Sequence, residues 1–139
     1  MADNRTTVDQ LMEAMAANDV EAQERLLSDD IVEEYPQSGE RIRGKENRRA
    51  ILENYPGGTP RETSAKSPNL APVITGAGDR FTAAGRVTYP NGETWHIVSL
   101  IELRDGKISK ITSYFGAPFE APAWRAPYVE KAATATPSR

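Results

Sequence analysis

Leu26–Tyr55, LLSDDIVEEYPQSGERIRGKENRRAILENY, packs a helix end, a polar-edged strand, a glycine-containing turn and a new helix into thirty residues. Ser28, Asp29 and Asp30 stop the helix that ends at Leu27, and Ile31–Tyr35 is β-like. Pro36–Gly44 then turns the chain toward a helix over Lys45–Tyr55, whose Ala50, Ile51 and Tyr55 can face inward. The YPGGTP that follows breaks this helix.

Upstream, Thr7 and Gln10 form a capping-box pattern, and Val8, Leu11, Met12 and Met15 recur at helical spacing, which predicts a helix over Val8–Ala17. Asn18 and Asp19 are turn and cap residues before a second helix over Val20–Leu27, burying Ala22, Leu26 and Leu27. Downstream the period changes. Leu70–Thr75, Arg80–Tyr89, Glu93–Leu103 and Lys107–Phe115 are rich in β-branched and aromatic residues and are separated by GAGD, PNG and RDGK. PNG and DG supply positive φ angles, so the last three strands should form an antiparallel meander. Three helices followed by a meander imply an α+β fold with the helices on one face of a curved sheet.

At 139 residues the chain fits one domain, able to bury roughly two-thirds of its unfolded surface. Its core should span about residues 8–116, with a C-terminal extension over 117–131 and a disordered tail over 132–139. In the extension, a short helix is expected over Trp124–Lys131, with Trp124 and Tyr128 packing back on the body or a partner subunit, or acting as a lid. The net charge of −3 gives no electrostatic reason to expect nucleic acid or an anionic membrane as partner. There are no cysteines, which excludes disulfides and thiolate chemistry. The polar start MADNRTTVDQ does not read as a signal peptide, so a cytoplasmic location is the expectation.

The order of these elements, with the ND turn, LLSDDIVEEYP, GKENRRAIL and ELRDGKISKITSYFG, resembles the NTF2-like superfamily over about Val8–Gly116. The PFEAPAWR tail is similar to that of SnoaL-like proteins. The resemblance implies a homodimer through the β-sheet, each cone-shaped subunit holding an apolar pocket between sheet and helices. In the ketosteroid isomerase branch, an acidic residue before the proline of this strand transfers protons. Tyr35 occupies that place here, Leu11 the place of the tyrosine donor, and Ser99 that of the carboxylic-acid donor. None of the three catalytic side chains is retained, which argues against ketosteroid isomerisation.

Strand alternation groups the side chains that can share one pocket. With Tyr35 inward, Ile31 and Glu33 share its face, as do Trp95, Ile97, Ser99, Ile101 and Leu103 on the third strand of the four and Ile111, Ser113 and Phe115 on the last. Such a wall suits a small apolar molecule carrying one or two oxygens. Tyr35 is then a candidate donor to a carbonyl, Glu33 a candidate base, and Trp95, Ser99, Ser113 and Phe115 candidate substrate contacts, with Gln37 on the rim. A filled core explains the same alternation, and loop polarity explains Gln37. His96, the only histidine, has the titration range of a base but falls on the opposite face. Arg41–Arg49 concentrates five basic residues. It reads as a solvated helix face with acidic partners drawn from Glu33, Glu34, Glu40 and Glu46. No metal site or cofactor is expected. The expected function is that of a cofactor-independent cyclase, isomerase or hydratase acting on a small apolar carbonyl compound, with a non-catalytic small-molecule-binding module or a dimeric scaffold as the alternative.

Overall fold

The structure, a computed structural model, describes residues 3–56, 72–89 and 91–131. In chain order the elements are α1 (Asn4–Ala16), α2 (Val20–Leu26), β1 (Leu27–Tyr35), β2 (Glu40–Arg43), α3 (Gly44–Glu53), β3 (Val73–Ala77), β4 (Arg80–Thr88), β5 (Thr94–Arg104) and β6 (Lys107–Gly116), followed by a 3-10 turn over Ala123–Tyr128. The strands form one six-stranded sheet in the order β2-β1-β6-β5-β4-β3. Every neighbouring pair is antiparallel except β1 and β6, which run parallel.

The expected α+β architecture is present, with local differences. α1 starts four residues earlier than the capping box suggests. Asp3 is the N-cap and accepts from the Thr6 N–H at 2.8 Å, while Thr7 lies within the helix and its hydroxyl turns back to the Asp3 carbonyl. α2 is capped as expected, with Asp19 accepting from Ala22 N–H, but its buried side chain is Gln23 rather than Ala22 or Leu26, which are half-buried. Leu27 is buried but belongs to β1, and ERIR, inside the segment expected to be a turn, is the short edge strand β2. In α3 the expected inward residues do not hold: Ala50 and Ile51 are exposed, Tyr55 follows the helix and is half-buried, and Arg48 is the residue that enters the interior.

The meander matches its expected boundaries closely. The β5–β6 hairpin turns on Asp105 and Gly106, at φ 53° and 78°, which is the twist that tight hairpins between right-handed strands require. Of the expected Leu70–Thr75 strand, the first two residues lie outside the described residues, as does the 132–139 tail. The extension carries a 3-10 turn in place of the expected helix. Trp124 and Tyr128 are 73% and 81% exposed, so packing against their own subunit is not what they do.

The core lies between α1, α2 and the inner sheet face, where Val8 and Leu11 meet Leu27, Ile31, Phe81, Ile101, Leu103, Ile108 and Ile111. Leu11, expected at the place of a tyrosine donor, is fully buried here. Register explains how the polar positions are distributed. Phe81, Ile101, Ile111, Glu33 and Ile42 form one row across five strands. Glu33 is the only ionisable group in it.

Candidate functional site

Glu33 faces inward, as its parity predicts, and is 9% exposed. A lone carboxylate there would carry a heavy desolvation penalty. Arg48, projecting from α3 and 5% exposed, meets it: Nε donates to Glu33 Oε1 at 2.9 Å. The guanidinium also donates through Nη1 to Gln23 Oε1 at 2.7 Å, and Gln23 Nε2 reaches the Ala14 carbonyl at 3.3 Å. One buried polar chain therefore ties α1, α2, α3 and β1 together.

Three of the other basic residues of Arg41–Arg49 form ion pairs, but only Arg41 takes one of the expected partners. Arg41 meets Glu34 at 2.8 Å, Lys45 meets Asp29 at 3.2 Å, and Arg49 meets Glu24 at 2.8 Å. Arg48 is the exception, buried rather than solvated.

Beyond the Glu33 row the inner face becomes more polar and then aromatic. Ala83, Ser99 and Ser113 share the next row, and the two serine hydroxyls hydrogen-bond to each other at 2.8 Å. Such a pair uses one of its two protons, leaving the other for a third oxygen. Ile97 and Phe115 follow, then Trp95 opposite Val87. The Tyr35 ring stands edge-on to Phe115 with centroids 5.1 Å apart, the arrangement the ring quadrupoles favour. Burial, reinforced by the negative charge of Glu33, pushes the Tyr35 phenol above its ordinary value of 10, with Arg48 opposing in part.

Two further phenols adjoin this wall. Tyr89, at the end of β4, stands edge-on to Trp95 at 5.7 Å and stacks on Tyr55 at 6.2 Å. Burial and a hydrogen bond with Tyr55 push the Tyr89 phenol up as well. Sequence reasoning placed Tyr55 inward but passed over Tyr89. Extending strand alternation to β4, where Phe81 and Ala83 are buried, would have found it.

The other expected site residues lie elsewhere or have other partners. His96 is exposed on the outer sheet face, away from the Tyr35 wall. Gln37 clamps the end of β6, its Nε2 donating to the Phe115 carbonyl at 2.6 Å while its Oε1 accepts from the Phe115 N–H. That double bond continues the β1–β6 pairing with a side chain. The Trp95 indole N–H donates to Glu93 at 3.1 Å.

An open groove of 570 Å³ runs between β2 and α3, lined by residues that include Ile42, Asn47, Ile51, Asn54 and Tyr55. Of the aromatic cluster it includes Tyr55 but not Tyr35, Phe115, Tyr89 or Trp95, so this groove and the Tyr35 wall are different surfaces. Among the described residues no three His, Asp or Glu side chains are placed to hold a metal ion. Among the same residues no helix is long and apolar enough to cross a membrane.

The sequence matches a family model described as the SnoaL-like domain over residues 8–111. A crystal structure of an NTF-2-like protein of unknown function from Burkholderia xenovorans LB400 is similar with 34% identity and a TM-score of 0.76, covering 94% of this chain and 95% of that one. A putative ketosteroid isomerase from Kribbella flavida DSM 17836 shares the fold at 22% identity, TM-score 0.75, over 96% and 92% of the two chains. TerC, co-crystallized with polyporic acid, shares it at 22% identity and TM-score 0.63, over 81% and 90%. No curated protein matches the sequence.

Proposed function

Because the chain belongs to the SnoaL-like domain family, within the NTF2-like fold, we propose that it binds a small, largely apolar carbonyl compound against the Tyr35–Phe115 wall and moves a proton on it without a cofactor. The observation that supports this reading is geometric: the Tyr35 ring stands edge-on to Phe115 at 5.1 Å on the same sheet face as the buried, Arg48-held Glu33 two residues away. Tyr35 donates to the carbonyl oxygen and follows the charge that develops there as an enolate forms. Glu33, oriented by Arg48, takes the proton from the adjacent carbon and returns it at another position, giving isomerisation, or holds it while the carbanion adds to a second carbonyl of the same compound and then gives it to the alkoxide so formed, closing a ring. Phe115 and Trp95 hold the carbon skeleton, and the Ser99–Ser113 pair offers a hydrogen bond to a second oxygen.

A second reading, non-catalytic binding in the same place, is favoured by one specific observation. Arg48 occupies Glu33 Oε1, so the carboxylate is engaged by a buried cation rather than left open to a ligand. Both readings place one ligand in each subunit of a homodimer. Val73, Ala84, Val98 and Tyr114 form an exposed row across four strands of the outer sheet face, with Leu100 beside it, and a second copy of this chain would cover them.

The test is the thermal stability of the purified protein against steroid, terpenoid and polyketide-like carbonyl compounds, since a ligand that prefers the native state raises its melting temperature by mass action. A rise that Tyr35→Phe weakens supports the wall as the binding site. Loss of one hydrogen bond corresponds to roughly three- to tenfold in affinity. Turnover of that ligand, abolished by Glu33→Gln, separates the catalytic reading from the binding one. A rise unaffected by Tyr35→Phe counts against both.

A further inference from the structure

The C-terminal extension leaves β6 at Gly116 from a fixed root, because the Gln37 side chain holds both the N–H and the carbonyl of Phe115. Beyond the root, Phe119 is 82% exposed, Trp124 73%, Tyr128 81% and Val129 52%. Pro118, Pro122 and Pro127 punctuate the segment, each lacking an N–H and fixing φ, so it is stiff and poorly suited to join a sheet as a strand. A stiff arm presenting three large aromatics to water is a surface that demands a cover. Its own subunit does not provide one.

The same chain exposes a second apolar surface, the row of Val73, Ala84, Val98 and Tyr114 on the outer sheet face. Both surfaces are present in every copy, so a two-fold arrangement can bury arm and sheet face reciprocally. A standard interface needs about 800 Å² per partner, and each large aromatic contributes roughly 150–250 Å² when buried. Phe119, Trp124 and Tyr128 would thus supply a large part of that area. We propose that residues 117–129 form an exchanged arm, which docks on the outer sheet face of a second copy of this chain. The proposal rests on the reading of that face as the contact between copies, and its test keeps the two apart.

The chain holds only two tryptophans, so the emission of Trp124 can be read as the difference between the native protein and Trp124→Phe. Sedimentation velocity across a wide dilution series gives the oligomeric state alongside it. The expected result is a dimer in which Trp124 emission is blue-shifted, turning red on dilution as the dimer dissociates. Trp124→Ser/Tyr128→Ser, at two exposed positions, should weaken dimerisation by roughly tenfold or more. A dimer unaffected by that change, with solvent-like Trp124 emission, would leave the sheet contact standing and overturn the arm. A monomer at every concentration overturns both. Blue-shifted emission that persists at dilutions where sedimentation shows monomer, or that Trp124→Ser/Tyr128→Ser removes without weakening the dimer, places the arm on its own subunit and also overturns the exchange.

Discussion

Replacing Arg48 by methionine keeps much of the aliphatic stem and removes the charge. In the native protein Arg48 and Glu33 are 5% and 9% exposed and joined at 2.9 Å, with a second charge-assisted bond to Gln23 at 2.7 Å. Arg48→Met leaves the Glu33 carboxylate without its partner between Ile42 and Ile111, and the Gln23 carbonyl oxygen without its donor. Breaking one side of such a pair costs about 3–5 kcal/mol, chiefly through the uncompensated charge. For a chain of this size that is a drop in melting temperature on the order of 10–20 °C. Removing the charge as well, in Glu33→Leu/Arg48→Met, leaves mainly the orphaned Gln23 oxygen, worth about 1–3 kcal/mol. The double variant should therefore be more stable than the single one, although it carries more substitutions. Equilibrium urea unfolding, with the slope checked for constancy, measures both differences. If Arg48→Met loses less than about 1 kcal/mol, or the double variant is no more stable than the single, the pair does not hold a buried charge and the electrostatic account of the site fails.

Burial raises the phenols of Tyr35 and Tyr89 above 10, so both should remain protonated in the folded protein when exposed tyrosines ionise. Their raised values give stability that is fully present below pH 10 and lost as pH rises beyond it. An absorbance titration should accordingly show two of the five tyrosines ionising late or only on unfolding, with Tyr35→Phe removing one, and a single uniform transition near pH 10 would contradict this. At the acid end, hydrogen bonds from Arg49 to Glu24, from Lys110 and Arg41 to Glu34, and from Ser28 and Arg104 to Asp30 hold these carboxyls below their ordinary values of 4.5, 4.5 and 3.8. Their contribution is present above those values and disappears as pH falls through and beneath them, so melting temperature should decline there and less steeply in Glu24→Gln; a flat profile to lower pH speaks against the pairs. In β3, Gly76 has φ 127° and a side chain added there would meet the Arg80 carbonyl oxygen at 2.4 Å. Gly76→Ala should cost at least about 1–3 kcal/mol in urea unfolding, and a neutral substitution would mean that this strand shifts freely.

The meander was legible because its punctuation is local. PNG and DG lie where the backbone reverses, and β4, β5 and β6 begin and end within one residue of where β-rich composition predicts. β2 was not legible: Glu40–Arg43 has four residues and becomes a strand by pairing with β1. The inward face of α3 escaped for a different reason. Apolar periodicity points to Ala50 and Ile51, whereas the residue that goes inside is an arginine whose burial depends on a carboxylate fifteen positions away and an amide twenty-five positions away. Parity found Glu33, Tyr35 and Phe115 on one face because strand alternation follows from the backbone. It could not show that Gln37 is engaged by Phe115 or that Arg48 holds Glu33, since those contacts join segments distant in sequence.

The parallel pairing of β1 with β6 carries a consequence for the order in which the molecule can assemble. β1 ends at Tyr35, but its neighbour begins only at Lys107, so a nascent chain carries β1 through most of its synthesis with one long edge open. The β2 hairpin protects the other edge early. The β4–β5 hairpin can close on its own, yet it becomes continuous with β1 only when β6 is inserted between them. Such distant pairing slows the search for the native state and prolongs exposure of apolar strands. Insertion of β6 also brings Phe115 beside Tyr35, so the wall proposed to bind a ligand forms at the same event that completes the sheet. A chain released before Lys107–Gly116 has emerged would lack both the middle of its sheet and one side of its site.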